Sequence, residues 1–312
     1  MKLNKDDWDR GDKRYLREIA ELSFDNVRWS RKRILETRDF LSPWNHNIEL
    51  PHKIFTAFCD DYYPSHKEMM RIINHQLQGD FKGKRILDIG CLEGYFSAEC
   101  ALQGATVVGV EGKLINIKKC EFIKSVLGIK NVKFVRDDAM KITKSKYGSF
   151  DVVLALGILY HLDNPLRFLS NLSKLCDGFI LIDTHVALRD QTTLGESWKP
   201  HLSELREFRF GNRTYLGRSY REFPSDATQL SKDLSTTASL KNDQSAWLTE
   251  DSLITLLRDV GFEQISKIVF PEREDVWWSD IGADGRVLLL AVKKRAPFKS
   301  RIHRKGSRRK RR

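Results

Sequence analysis

From residue 84 onward, short apolar runs alternate with longer amphipathic ones. The runs KRILDIG (84–90), TVVGVEG (106–112), NVKFVRDD (131–138), FDVVLALG (150–157) and GFILIDTH (178–185) are rich in β-branched residues and apolar at consecutive positions, as strands buried on both faces are. Segments 95–103, 114–127 and 163–176 between them carry helical spacing. The alternation predicts a parallel sheet with helices on both faces. A helix over 65–79 precedes the first strand. Another spans about 249–260 in TEDSLITLLRDVGF, with Thr249 as N-cap and Gly261 as C-cap. Two strands, QISKIVF and RVLLLAV, finish the body.

Two stretches depart from this rhythm. Over residues 1–40, Leu16, Ile19, Leu22 and Val27 recur at roughly helical spacing among dense charge, which predicts amphipathic helices packed on a larger body. Pro43 and Pro51 then bracket an extended piece, SPWNHNIELPHKIFT. Residues 186–247 are polar, aromatic and Arg-rich, and too long for a plain connection, so they read as a lid or substrate-facing insertion. The expected organisation is an N-terminal helical extension and cap over 1–64, a catalytic domain over 65–293 and a basic tail over 294–312. No internal repeat is present.

Charge sharpens this division. The chain of 312 residues has a formal net charge of +12, and residues 293–312 hold twelve Lys and Arg with no acid. The body is therefore neutral and the tail carries the whole excess. Such a tail is expected to be disordered in isolation and to attract RNA, DNA or an anionic surface with strong salt dependence. Five cysteines (Cys59, Cys91, Cys100, Cys120, Cys176) form no C-x-x-C pair and no ligand-spaced cluster with His, which points to a reduced, cytoplasmic protein without a metal site. The apolar runs stop near nine residues, short of the roughly 20 a membrane helix needs.

The loop after the first strand, RILDIGCLEGYF, is the richest in chemistry. A dinucleotide site needs G-x-G-x-x-G, because the second glycine admits the pyrophosphate and the third lets helix and strand pack closely. Here the loop reads Gly90-Cys91-Leu92-Glu93-Gly94. Leu92 stands in the second glycine's place, and Glu93 is expected to put a negative charge where phosphate would sit, so NAD and FAD are disfavoured. No G-K-[ST] follows. A cofactor with an adenosine but no phosphates, carrying a sulfonium and an amino-acid tail, suits acidic surroundings: S-adenosylmethionine. Glu111, ending the second strand, is placed for the ribose hydroxyls, Asp138 for the adenine amino group, and Asp88 for the loop backbone or the methionine ammonium. All three lie at carboxyl ends of strands.

The order LDIGCLEGYFS, VVGVEG, RDDA and FDVVLALGILYHLDNP resembles class I S-adenosylmethionine-dependent methyltransferases, and LGILYHLDNPLRFL resembles the branch that includes the tRNA wobble-uridine carboxymethyltransferase. The resemblance covers roughly residues 40–293. It implies a Rossmann-like α/β fold with a seven-stranded sheet, RVLLLAV inserting antiparallel. It also implies a cofactor site comprising Asp88, Gly90, Cys91, Gly94, Glu111, Asp138 and Gly157. Tyr160-His161 is followed here by Leu162-Asp163. An additional carboxylate on the cofactor would need a cation; Asp163 has the wrong sign and Arg286 is the candidate. Ordinary S-adenosylmethionine and methyl transfer to a small-molecule, glycan-linked or RNA acceptor are therefore the expectation, with a carboxymethyl-transferring enzyme as the alternative. An inactive protein that binds nucleic acid through its tail is a second alternative.

Methyl transfer needs alignment above all, and a base only when the acceptor loses a proton. Tyr160 and His161 follow the fourth strand and are the catalytic candidates. Asp183 and His185 follow the fifth strand and, with Trp44, His46 and Arg218, are the substrate-binding candidates. A buried Trp is more often core than cap, and a histidine at a strand end often bonds a backbone carbonyl. The insertion's Arg206, Arg209, Arg213, Arg218 and Arg221, interleaved with Phe and Tyr, suit stacking on a base or clamping an anion; Glu204, Glu207 and Glu222 are on hand to neutralise them. Cys91 has nothing basic beside it and is expected to be inert.

Overall fold

In the computed structural model, which describes residues 5–57, 64–190, 199–269 and 285–293, the apolar runs become one seven-stranded sheet. Its strands are β3 (Arg85–Ile89), β4 (Thr106–Glu111), β5 (Val132–Arg136), β6 (Phe150–Leu156), β7 (Cys176–His185), β11 (Phe262–Ile268) and β12 (Arg286–Lys293). The order is β11-β12-β7-β6-β3-β4-β5. Strands β3 to β7 are mutually parallel, while β12 runs antiparallel to both β7 and β11. The expected antiparallel insertion of RVLLLAV is thus observed. The chain order reverses at β3, between β4 on one side and β6 on the other, which opens a crevice at the carboxyl ends of the strands.

Because side chains alternate across a strand, the sheet divides its apolar residues between two cores. Ile86, Val152, Leu154, Leu181 and Leu288 pack against α3 (Pro64–Leu77), α4 (Tyr95–Leu102) and α5 (Leu114–Leu127). Leu87, Val153, Ile180, Ile182 and Leu289 face α7 (Pro165–Leu175) and α9 (Glu250–Asp259) on the other side. At α9 the expected N-cap forms, while Gly261, expected as C-cap, falls one residue beyond the cap at Val260 with φ +99. Thr249 accepts from the Ser252 N–H to cap α9, Asn164 accepts from the Arg167 N–H at α7, and Pro165 occupies its first turn. The short helix α6 (Lys144–Tyr147) leads into β6.

The N-terminal helices α1 (Lys5–Glu21) and α2 (Arg31–Phe40) join the first core. Their connection is pinned to α5: the Trp29 indole N–H donates to Ser125 Oγ (3.0 Å), whose hydroxyl donates to the Phe24 carbonyl (2.8 Å). The extended piece then forms a two-residue pairing of β1 (Glu49–Leu50) with β2 (Ile54–Phe55). In the insertion, β8 (Arg206–Phe210), β9 (Arg213–Arg221) and β10 (Gln244–Leu248) make a three-stranded antiparallel sheet, with α8 (Gln229–Leu234) between the last two. REFRF and RTYLGRSYR are joined by Gly211-Asn212, with Gly211 at φ +58, a two-residue hairpin turn. Residue Cys59, part of the insertion (191–198) and the basic tail (294–312) lie outside the described residues.

One buried ion pair fastens the N-terminal segment to the sheet. Glu93 and Lys119 are both fully buried, with Lys119 Nζ 2.9 Å from Glu93 Oε1. The carboxylate also accepts from the backbone N–H of Asn45 (2.9 Å) and His46 (2.7 Å), while Lys119 donates to the Pro43 carbonyl and lies 5.1 Å from the Trp44 ring centroid. Removing one member of such a pair leaves an uncompensated charge. Lys119→Met should lower stability by about 3–5 kcal/mol in urea unfolding. The Glu93→Gln/Lys119→Met double variant should recover part of that loss, because the neutral amide still accepts both N–H groups without needing a cation. A Lys119→Met protein as stable as the parent would contradict this.

Candidate active site

Three strand ends and one loop build the crevice. The Gly90 and Cys91 N–H groups both donate to the Val110 carbonyl (2.8 and 3.1 Å), which folds the loop down over β4. Gly90 and Gly94 hold φ at +67 and +82, a region costly for residues with a Cβ. A Cβ on Gly90 would stand 2.7 Å from Ile158 Cδ1, and one on Gly94 2.9 Å from the Phe134 ring. Both glycines therefore serve close packing as well as backbone shape. Leu92 is left-handed too, at φ +52, and its N–H donates to Glu111 Oε2 (3.1 Å).

Asp88, Gly90, Cys91, Glu111, Asp138 and Gly157 all line one cavity of about 940 Å³. Burial raises Glu111 to about 7, against the N–H groups of Lys113 and Leu92 that stabilise its charge. Asp88 is raised to about 6 by burial, opposed by the Ser97 hydroxyl that donates to it at 2.7 Å. Asp138 spends one oxygen on the Met140 N–H (3.0 Å). Gly94, at the end of the loop where α4 begins, is outside the lining. Cys91 lies 3.9 Å from Cys120, sulfur to sulfur, and burial raises its thiol pKa, in keeping with an inert residue.

At the other end, Tyr160, His161, Asp183, His185 and His46 line the same cavity. His161 Nδ1 lies 3.0 Å from both oxygens of Glu222, a carboxylate that also accepts from the Ser239 N–H (3.4 Å). A carboxylate can only accept, so Nδ1–H is the donor in this pair. Asp183 takes a two-pronged grip from Arg286, with Nε donating to Oδ1 at 2.9 Å and Nη2 donating to Oδ2. The Arg286 guanidinium carbon is 5.8 Å from the Tyr160 ring centroid, and burial raises the Tyr160 hydroxyl pKa. His185 stacks on Trp247 (4.9 Å, 11°) and faces the Gly285 carbonyl at 3.3 Å, so it both bonds a carbonyl and borders the cavity. Burial pushes His46, His66 and His185 down to about 3 each, which keeps their rings neutral.

Three expectations are corrected. Arg218 was expected to meet substrate, yet it is only 2% exposed; its guanidinium donates to the carbonyls of Leu188, Ser203 and Arg189 and so clamps the insertion. Trp44 packs on Phe122 (6.0 Å) and donates to the Arg38 carbonyl, outside the cavity lining. Glu93 is turned into the protein instead of into the crevice, so its charge does not repel phosphate.

Other residues are brought in from afar. His66, on α3, meets His46 at a ring separation of 4.9 Å and lines the cavity. Glu222 reaches His161 across 61 residues. The loop Thr236–Asn242 also lines the cavity: Lys113 Nζ donates to the Ser239 carbonyl (2.9 Å), Asn116 donates to the Thr236 carbonyl (2.9 Å), and Leu240 lies over Gly112. No local pattern marks Glu222 or His66, since each acts through a partner distant in the chain.

A sheet of this order, with its antiparallel β12 and its acid-lined crevice at the switch point, defines a class I methyltransferase fold. The chain matches the family described as "Methyltransferase domain" over residues 62–267, and so belongs to that family. It is a class I S-adenosylmethionine-dependent methyltransferase, distantly related to the tRNA U34 carboxymethyltransferases. The tRNA U34 carboxymethyltransferase of Cronobacter sakazakii is 25% identical over 233 residues, covering 73% of this chain and 69% of its own length. That of Idiomarina loihiensis is 27% identical over 170 residues, so this chain spans 50% of that relative's length. Among solved structures, the N-terminal domain of EvdMO1, crystallised in the presence of SAH and D-fucose, superposes with a TM-score of 0.62 at 23% identity over 85% of this chain and 98% of its own. That likeness shows the fold.

Since Arg218 serves three carbonyls, Arg218→Met should destabilise the protein by at least about 1–3 kcal/mol. Hydrogen exchange should locate the loss in β9 and the 199–203 turn, with S-adenosylhomocysteine affinity unchanged. Stability equal to the parent would return Arg218 to the list of substrate contacts.

Proposed function

We propose that the crevice binds S-adenosylmethionine and that the enzyme methylates an acceptor held between Tyr160, His161, Asp183 and His185. The observation that carries this reading is the chemistry of the donor set. Asp88, Glu111 and Asp138 stand at the carboxyl ends of β3, β4 and β5 around one cavity, where a cationic, phosphate-free adenosyl group is matched and a pyrophosphate is not. Glu111 would accept from the ribose hydroxyls, Asp138 from the adenine amino group, and Asp88 would face the methionine ammonium. Gly90, Cys91 and Gly157 supply the close backbone approach, and Leu240 covers the ribose side. When bound, S-adenosylmethionine supplies an electrophilic methyl group on sulfur.

His161 takes the proton that an acceptor O–H or N–H loses, at Nε2, and Glu222 holds the ring and stabilises the imidazolium that results. The neutral rings of His46, His66 and His185 can donate or accept hydrogen bonds without adding charge. Arg286 favours the unmodified cofactor. Nε and Nη2 of its guanidinium are engaged by Asp183, so a carboxylated cofactor would have to compete with a buried anion for this cation. The relatives' transfer of a carboxymethyl group to tRNA therefore stays the alternative. The acceptor is a small molecule, a glycan-linked group or RNA.

The raised pKa of Glu111 makes cofactor binding pH-dependent with a definite sign. Ribose hydroxyls donate to the carboxylate, so binding favours the ionised form and releases a proton below the apo value of about 7. Affinity for S-adenosylhomocysteine, measured calorimetrically, should rise about tenfold from pH 6 to pH 8 and level off above. Glu111→Gln should bind more weakly and lose most of this dependence. Parent and variant with the same affinity and the same pH profile would remove Glu111 from the site. With an acceptor in hand, His161→Ala should lower turnover by about 10²–10⁴-fold while leaving cofactor affinity in place; unchanged turnover would mean that no base operates there.

A further inference from the structure

Among the described residues, four of the insertion's six arginines pair with acids, and the other two share a cavity. Arg213 meets Asp259 (3.0 Å), Arg209 meets Glu207 (3.9 Å), Arg189 meets Asp251 (2.7 Å) and Arg218 meets Glu204 (3.8 Å). Lys232 holds Asp243, and Glu222 is committed to His161. Arg206 and Arg221 have no carboxylate within 4 Å among the described residues. Both line a second cavity of about 300 Å³, together with His201, Ser203, Ser219 and Gln244.

Strand register explains the gathering. Arg206 lies opposite Gly217, and Arg221 opposite Gln244. Residues 217, 219 and 221 alternate onto one face of β9, so Arg206, Ser219, Arg221 and Gln244 rise from the same side of the sheet. Arg206 Nη1 donates to Ser219 Oγ (3.2 Å), and its guanidinium carbon lies 5.1 Å from the Phe208 ring centroid. The fork is thereby held in place while most of its N–H groups stay unused. Among the described residues, His201 Nδ1 is buried without a hydrogen-bond partner, a state that costs free energy until a ligand supplies one.

We propose that this cavity is a phosphate-binding site. Two guanidinium forks, the Ser219 hydroxyl, an amide and an imidazole nitrogen offer more donors than the two oxygens of a carboxylate can use; the three or four oxygens of a phosphate monoester or inorganic phosphate match them better. A chain of ring contacts through Tyr220 and Trp247, which project from the opposite face of the sheet, links the site to the acceptor end of the crevice. His201 meets Tyr220 (5.9 Å), Tyr220 stacks on Trp247 (4.6 Å, 18°), and Trp247 stacks on His185. A phosphorylated acceptor can be anchored here; that part of the inference rests on the proposed methyl transfer, whereas phosphate binding does not.

The test titrates the full chain with inorganic phosphate at constant ionic strength, following phosphorus NMR line widths. It compares the parent, R206Q/R221Q, and R209Q/R213Q, which removes the same charge from the same sheet outside the cavity. R206Q/R221Q should weaken binding by about tenfold or more, the loss of two charge-assisted contacts, with R209Q/R213Q near the parent. Equal losses in both variants would show bulk attraction to a basic chain and overturn the site, as would no loss in either. Ribose 5-phosphate distinguishes the sources. Binding tighter than inorganic phosphate and sensitive to R206Q/R221Q assigns the site to a phosphorylated acceptor, and equal binding assigns it to free phosphate. S-adenosylhomocysteine affinity measured on the same samples reports separately on the cofactor crevice.

Discussion

A carboxylate with no exposed surface, Glu93, ties together three parts of the chain that are remote in sequence. It sits in the loop that lines the larger cavity, takes the ammonium of Lys119 from α5, and accepts the N–H groups of Asn45 and His46 from the N-terminal segment. Burying a lone carboxylate costs several kcal/mol, and only a full set of donors offsets that. The loop can therefore hold its shape only while the N-terminal segment lies across it. Because His46 is one of the residues so held, and also lines the cavity, the same interaction that stabilises the fold places a wall of the site.

Burial organises the chemistry as well. Carboxylates raised to about 6 and 7 at Asp88 and Glu111 occupy the end of the cavity suited to a cationic cofactor, which would restore their charge. The opposite end is kept close to neutral. Burial keeps the rings of His46, His66 and His185 neutral, and the Arg286 guanidinium is paired with Asp183. On the proposed reading the two ends differ in sign of demand, one matched to a cation and the other to an uncharged acceptor, with the His161–Glu222 pair at the second.

The elements set by local pattern were legible in the sequence. The strand runs, the helix over 114–127, the Thr249 cap, and the carboxylates at the ends of β3 and β4 follow from periodicity and end signals that need no distant partner. What was not legible depends on long-range pairing. Glu93 looks like an acid facing the crevice until Asn45 and Lys119 close around it. Arg218 looks like any arginine of the insertion until the backbone wraps its three carbonyls about it. Trp44 and His46 are two residues apart, yet one enters the core and the other the cavity wall. The β8–β9 hairpin did carry a signal, since REFRF and RTYLGRSYR alternate around Gly211-Asn212, but the density of Arg obscured the period of two.

The most direct measurement is a crystal structure of the protein soaked with S-adenosylhomocysteine. The account predicts adenosine density in the crevice, with the ribose hydroxyls within hydrogen-bond distance of Glu111 and the amino-acid tail beside Asp88 and Gly90. Density for the ligand elsewhere, or a ribose that leaves Glu111 untouched, would contradict it.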